Sequence, residues 1–330
     1  MTNEDSNLTN EDLKTMQEWP LERKIRVSQS HIMKWYGHWG GKVYLSFSGG
    51  KDSTVLLDLA RRVYPDIEAV FVDTGLEYPE VRRFVSGHNN VTKIKPEKTY
   101  HEVLTEKGYP IGSKKVARML RTCQNPTDRN KVTVRLYRTG IKKDGTRSKN
   151  FKLAKRWLKF IESEYRASEE CCDIIKKAPL KKFGKATGKK PIIGTMAEDS
   201  AFRKINWLKT GCNAFDVDDP QCKPLSFWTE QDILKYLKIT GLEYCSVYGD
   251  IIKKDGKLET TGEKHTGCIF CLFGVHLEKE PNRFQRLKEI DRPKYNYCIS
   301  GGELDQYGKL IPNKKGLGEG KILDFMGVPY

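Results

Sequence analysis

Apolar positions recur at helical spacing early in the chain, where Leu21, Ile25, Ile32, Trp35 and Tyr36 share a face and the run GHWGGK closes it. The pattern then changes. VYLSF (43–47) is a short apolar run of the buried-strand kind, and after a glycine turn Val55, Leu56, Leu59, Ala60 and Val63 form one helical face. IEAVFVDTG (67–75) reads as a second strand entering a turn, and two strands joined by a helical crossover imply a parallel sheet. KKPIIGTMAEDS (189–200) repeats the strand-then-glycine pattern. Between them lie a hairpin-like stretch, YRTGIKKDGTRSKNF (137–151), and an amphipathic helix. That helix carries Leu153, Trp157, Phe160 and Ile161 on one face, with Lys152, Lys155, Arg156 and Lys159 largely opposite. PLSFWTEQDILKYLKITG (224–241) predicts a loop, a Thr229 cap and a helix. Residues 1–12 read as a disordered leader. The expected organisation is a leader and helix over 1–40, an α/β nucleotide-binding domain over 41–225, and a helical and loop-rich region with a C-x-x-C over 226–330.

Composition narrows the class. The 330 residues are 38% hydrophobic and 31% charged, with no apolar run of membrane-spanning length and an acidic, polar start unlike a secretory signal. These features predict a cytoplasmic protein. Nine cysteines in such a chain point to metal or redox chemistry before a disulfide framework. The net charge of +16 is uneven: residues 131–190 hold 19 Lys or Arg against 6 Asp or Glu. That segment is an electrostatic footprint for a nucleic acid or another polyanion.

The turn SGGKDS (48–53) joins the first strand to its helix. Its glycines let the backbone approach a ligand, and the following amides open a helix whose positive end favours an anion. Lys51 adds a mobile charge, and Ser48 and Ser53 add hydroxyls. The natural guest is a phosphate chain. Neither the Walker pattern nor the dinucleotide fingerprint is present.

SGGKDS directly after a strand resembles the pyrophosphate loop of the adenine nucleotide alpha-hydrolase superfamily, of Rossmann-like α/β fold with helices on both faces of a parallel sheet. VFVDTGLEYPEV, IIGTMAEDSAFR and KPLSFWTEQDILKYL resemble further segments of its phosphoadenosine phosphosulfate reductase family, over about residues 40–275. The resemblance implies an adenine nucleotide across the carboxyl ends of the strands. Its phosphates would meet Ser48, Gly49, Gly50, Lys51, Asp52 and Ser53, with Asp73, Gly194, Glu198, Asp199 and Arg203 near the nucleotide. Lys51 and Asp52 would be the catalytic residues, and Asp52, Glu198 or Asp199 would hold Mg2+. The family often has an arginine after the glycine of the third motif, where this chain has GTM.

Cysteines pair as Cys171–Cys172 and as Cys268–Cys271, a C-x-x-C. Four thiolates suit zinc or a [4Fe–4S] cluster alike, and spacing does not choose. CCDIIKKAPL followed at long range by C-x-x-C resembles the cluster-bearing adenylylsulfate reductases, which implies a [4Fe–4S] cluster on these four residues. Because adjacent cysteines reach one centre with difficulty, Cys212, Cys222 and Cys245 are alternative ligands, although each reads more simply as a buried thiol, as do Cys123 and Cys298. His265 reads as a loop histidine or a ligand.

The sulfonucleotide reductases attack with a cysteine in a Glu-Cys-Gly-(Leu/Ile)-His motif that this sequence lacks, and SGGKDS matches the members that use intact ATP. The expected function is therefore ATP-dependent adenylylation and sulfur transfer to a nucleic acid or other anionic acceptor, with a sulfur-donor protein as a further partner. The chain also resembles the ATP-using subunit of DNA phosphorothioation systems. Two alternatives stay open: a sulfonucleotide reductase releasing sulfite, and a nucleotide- or nucleic-acid-binding defence or mobile-element protein without turnover. Oligomeric state is not legible.

Overall fold

The computed structural model describes residues 8–148 and 150–330. In chain order its helices and strands are α1 (Asn10–Gln17), α2 (Leu21–His38), β1 (Val43–Ser46), α3 (Lys51–Arg61), β2 (Ala69–Val72), α4 (Pro79–Ser86) and β3 (Val91–Ile94). There follow α5 (Tyr100–Lys107), α6 (Lys114–Gln124), α7 (Lys131–Thr139), α8 (Lys155–Leu158), α9 (Ala178–Thr187), β4 (Lys190–Ile193) and α10 (Ala201–Thr210). The remainder comprises β5 (Asn213–Ala214), β6 (Gln221–Cys222), α11 (Glu230–Thr240), β7 (Ile251–Lys254), β8 (Lys257–Thr260), α12 (Arg283–Ile290), α13 (Arg292–Ile299), β9 (Glu303–Leu304), β10 (Leu310–Ile311) and α14 (Glu319–Met326).

The chain forms two compact units, one of residues 1–95 with 179–266, the other of 96–178 with 267–330. This interleaved division differs from the consecutive segments that the sequence suggests, with their boundaries at 40 and 225. Hydrophobic periodicity reports elements but not which of them return to the same core.

The first unit holds a six-stranded sheet in the order β3-β2-β1-β4-β6-β5, parallel except for β5 against β6. Leu45 lies opposite Ala69 on one side and Ile192 on the other. Val43, Tyr44 and Leu45, like Ala69, Val70 and Phe71, are all buried, so the central strands read as continuous apolar runs without alternation. From β1 the chain crosses to β2 on one side and later fills β4 on the other. This is a switch of direction that leaves a crevice at the carboxyl ends of β1 and β4. Helix α2 buries Ile32 and Trp35, and its Ser28 hydroxyl donates to Pro224 O at 2.7 Å while accepting from Trp228 Nε1 at 2.8 Å. Buried Lys24 reaches Asp232 at 2.5 Å and Gln17 O at 2.7 Å. Thr229 caps α11 in a reciprocal box with Asp232, as the sequence predicts.

Three local expectations are corrected. Residues 10–12 of the expected leader are helical, because Thr9 and Asp12 form a capping box at the start of α1; residues 1–7 lie outside the described residues. The expected amphipathic helix near 153–161 is a single turn, α8, although Leu153, Trp157, Phe160 and Ile161 are all buried as its pattern requires. The hairpin expected over 137–151 is confined to 140–148, closed by Ser148 N donating to Gly140 O at 2.7 Å and Lys142 N to Thr146 O at 2.8 Å. Its first residues belong to α7.

The second unit is mainly helical. Tyr109 is fully buried and its hydroxyl donates to Leu317 O at 2.6 Å, so an early loop is tied to the end of the chain. Near it Glu319, 0% exposed at the start of α14, accepts from Tyr100 OH at 2.9 Å and from Cys298 Sγ at 2.7 Å. Burial pushes the Glu319 carboxyl up to about 8, against the two hydrogen bonds that favour its anion. The folded pKa thus lies above the unfolded 4.5, so the stabilisation is complete below pH 4.5 and is lost as pH rises to about 8. Glu319→Gln should flatten the decline in chemical-denaturation stability across that window. An unchanged slope would show that another group is responsible.

Candidate anion-binding loop and cysteine pairs

At the mouth of the β1–β4 crevice, β1 runs through Phe47 into Ser48–Gly50, and Gly50 caps the start of α3. Gly49 has φ +71°, and a Cβ there would stand 2.7 Å from Val85 Cγ2 and 2.9 Å from Val81 Cγ1, so both the turn and the packing of α4 require glycine. Gly194, leaving β4, plays a different part: its added Cβ would stand 3.3 Å from Asp52 O and 3.4 Å from Ser53 Cα. It lets β4 pass close under the first turn of α3.

The hydroxyls shape the loop. Ser53 Oγ donates to Gly50 O at 2.9 Å and accepts from Ser48 N at 3.2 Å, while Ser48 Oγ accepts from Gly50 N at 3.3 Å. Lys51 is 2% exposed; its Nζ donates to Lys264 O at 2.8 Å and lies 3.4 Å from Glu230 Oε1. Its backbone N–H donates to Tyr248 OH at 3.1 Å, and that hydroxyl also bonds Thr266 Oγ1 at 2.8 Å. Tyr248, Lys264 and Thr266 therefore stand where an anion would meet the first amide of α3. Periodicity gives no sign of them; the only signal is that they follow α11 in a loop rich in polar residues.

Asp52 Oδ1 is a buried atom without a hydrogen-bond partner, 3.9 Å from Lys51 Nζ. Burial pushes this carboxyl up; Lys51 opposes that, Asp199 adds to it, and His265 opposes it in turn. His265, weighed as a metal ligand from sequence, thus acts on the loop aspartate in the first unit. Asp199 accepts from Met196 N at 3.1 Å and pairs with Arg203, one turn along α10. Glu198 accepts from Glu230 N at 2.5 Å at the start of α11, and burial raises its pKa. Asp73, at the end of β2, accepts from Arg82 Nη2 at 2.8 Å and Gly75 N at 3.2 Å. Magnesium in nucleotide sites takes few carboxylates besides phosphate oxygens, and the orphaned Asp52 Oδ1 fits that use.

All four cysteines of the two pairs belong to the second unit, not to two different domains as the sequence boundaries imply. Cys171 and Cys172 open a helical segment that continues through a π-turn, Asp173–Lys177, a form frequent at functional sites. The two thiols share a hydrogen bond, which pushes Cys171 far up and holds Cys172 down, with Lys114 and Lys176 favouring the Cys172 thiolate. Cys171 feels Cys271 and Cys268 as well. Cys271 is pushed up to about 12, by burial first and by Cys268 next; its N–H donates to Cys268 O at 3.2 Å, and its carbonyl accepts from Arg283 Nη1 at 2.9 Å. Nearby Glu169 is buried between Arg118 and Arg121, with Arg121 Nη2 at 2.7 Å. Among the described residues no three His, Cys, Asp or Glu side chains are grouped closely enough to hold one metal ion. The donor set itself, four thiols with cations beside them, is the chemistry that a cluster requires. The alternative ligands Cys212, Cys222 and Cys245 are buried in the first unit, whereas the two pairs belong to the second.

A family model described as the phosphoadenosine phosphosulfate reductase domain matches residues 42–125 and 113–263. The chain belongs to that family. An uncharacterized protein of Methanocaldococcus jannaschii is 36% identical over 97 residues, 27% of this chain and 24% of that protein. Adenosine 5'-phosphosulfate reductase 1 of Bacillus subtilis is 38% identical over 85 residues, 23% of this chain and 36% of the relative. The chain thus spans about a quarter to a third of the length of these two relatives. The adenosine 5'-phosphosulfate reductase of Anoxybacillus flavithermus is 23% identical over 277 residues, 81% of this chain and 91% of that enzyme. The family match contains the whole phosphate loop and all of β1 to β6.

An anion held by this loop would compete with Tyr248 for the Lys51 amide. Tyr248→Phe should therefore raise affinity for inorganic pyrophosphate by about two- to tenfold, the worth of one net hydrogen bond, as read by titration calorimetry. A fall would make the hydroxyl a donor to the anion instead.

Proposed function

We propose that this member of the phosphoadenosine phosphosulfate reductase family is an ATP-dependent adenylylating sulfurtransferase. The observation that carries the reading is the intact phosphate loop: a glycine turn at the opening of α3, a buried Lys51 within reach of it, and the unpartnered Asp52 Oδ1. An acceptor oxygen attacks the α-phosphorus of ATP, and the bond to the bridging oxygen breaks. Pyrophosphate leaves with the electron pair. The loop amides and Lys51, released from Lys264 O, take up the charge that builds on it, with no covalent protein intermediate. Asp52 would hold magnesium on the phosphates. A sulfur nucleophile then displaces AMP from the activated acceptor.

Cys171, Cys172, Cys268 and Cys271 would hold a [4Fe–4S] cluster; when bound, with one thiolate giving way, it would supply an iron able to carry sulfide. The protein's part is to hold one of these thiols toward its ionised form, to which Lys114 and Lys176 contribute at Cys172. The basic segment 131–190 would hold a polyanionic acceptor, and the sulfur would come from a donor protein.

A second reading, sulfonucleotide reduction to sulfite, is favoured by the name of the Anoxybacillus relative, which aligns over 91% of its length. Against it stands Cys298: it is 0% exposed, donates to Glu319, and is pushed up by burial, the opposite of an activated nucleophile.

With anaerobically purified protein, Lys51→Ala should lower ATP–pyrophosphate exchange by about 10²–10³-fold. Wild type that exchanges no pyrophosphate but releases sulfite from adenylyl sulfate with a thiol would establish the reductase instead. Cys268→Ser with Cys271→Ser should remove the bound iron and the broad visible absorption near ~400 nm. Iron content unchanged from wild type would refute the ligand set.

A further inference from the structure

The basic segment holds more than charge. Residues 131–159 contain 11 Lys or Arg and a single acid, Asp144. That carboxylate is spent inside the hairpin turn, accepting from Thr146 N at 2.9 Å and Thr146 Oγ1 at 2.7 Å. Among the described residues Lys131, Arg135, Lys143, Arg147, Lys152 and Lys155 are exposed and form no ion pair. Helix α7 buries none of its residues.

In the middle of this field lies an aromatic surface. Phe151 is 48% exposed and stacks on Tyr137 with ring centroids 6.5 Å apart and planes at 22°. Lys115 Nζ stands 5.3 Å from the Phe151 ring. The backbone fixes the arrangement, since Leu153 N donates to Tyr137 O at 2.8 Å and holds the segment carrying Phe151 beside α7. The packing here leaves a large apolar ring half in water among cations. Core formation does not explain it, since Leu153 and Trp157 already supply the buried contacts of this stretch.

We infer that α7, the 140–148 hairpin and Phe151 form a binding surface for single-stranded nucleic acid. An unpaired base stacks on Phe151, backed by Tyr137, and the flanking cations track the phosphates. Stacking on an aromatic face is open to any base but not to a paired one, whose faces are covered by its neighbours, whereas cations alone bind duplex as readily. The proposal rests on the polyanion partner of the functional reading and names its form: unpaired strand, with DNA and RNA sharing the chemistry.

Binding of fluorescein-labelled oligonucleotides of roughly 20 residues to the full chain, without ATP, tests this by anisotropy. Single strands of DNA and RNA and the matching duplex form the arms. Single strand should bind more tightly than duplex. Phe151→Ala should weaken single-strand binding about tenfold or more without changing duplex binding, and Phe151→Trp should restore it. Lys143→Gln with Arg147→Gln should weaken all arms and reduce the salt slope by about 2. Equal affinity for strand and duplex, or indifference to Phe151→Ala in a variant with wild-type circular dichroism, would overturn the stacking surface while leaving a backbone-binding partner in place. Absence of binding in every arm at about 50 mM salt would overturn both.

Discussion

The close passage of β1, its glycine turn and the first turn of α3 over β4 is the constraint on which the first unit depends. Gly49 must take a left-handed φ beneath Val81 and Val85, and Gly194 must leave room for Asp52 and Ser53. A side chain at Gly49 would collide with α4, and one at Gly194 would crowd the first turn of α3. Once both glycines are in place, Ser48 and Ser53 close the turn, the helix opens toward the crevice, and Lys51 is carried inward with its amide donating to Tyr248 OH.

That loop is furnished from a distance along the chain. Glu230, Tyr248, Lys264 and Thr266 reach residues 48–52 across about two hundred positions, so the segment after α11 shares in the electrostatics of the turn. The lysine's attraction to a backbone carbonyl and a carboxylate is of the kind that a phosphate chain outcompetes, because two or more charges replace one and a dipole. Asp52 is the opposite case. Its orphaned oxygen is costly while unpaired, and a cation beside a phosphate would relieve that cost.

The second unit gathers its chemistry by another route. Cys171–Cys172 and Cys268–Cys271 enter one core from two chain segments, and the same core locks Cys298 to Glu319 and Tyr100. Thiols that look alike in sequence thus fall into two chemical states. One is set beside lysines that favour its ionised form; the other is sealed against a carboxyl that burial keeps neutral.

The sequence by itself determined the parallel core and its loop, because buried strands are written as unbroken apolar runs and because SGGKDS encodes its geometry within six neighbouring residues. The family, the Thr229 cap and the burial of Leu153, Trp157, Phe160 and Ile161 were legible for the same local reason. What lay beyond reach was non-local. The apolar spacing at 153–161 fits a helix, yet tertiary packing buries those side chains around a single turn. Only the folded chain decided that the units interleave, that Gly194 is a spacer, that Glu198 holds the start of α11, and that Tyr248 sits on the Lys51 amide. Each depends on contacts between residues that no periodicity relates.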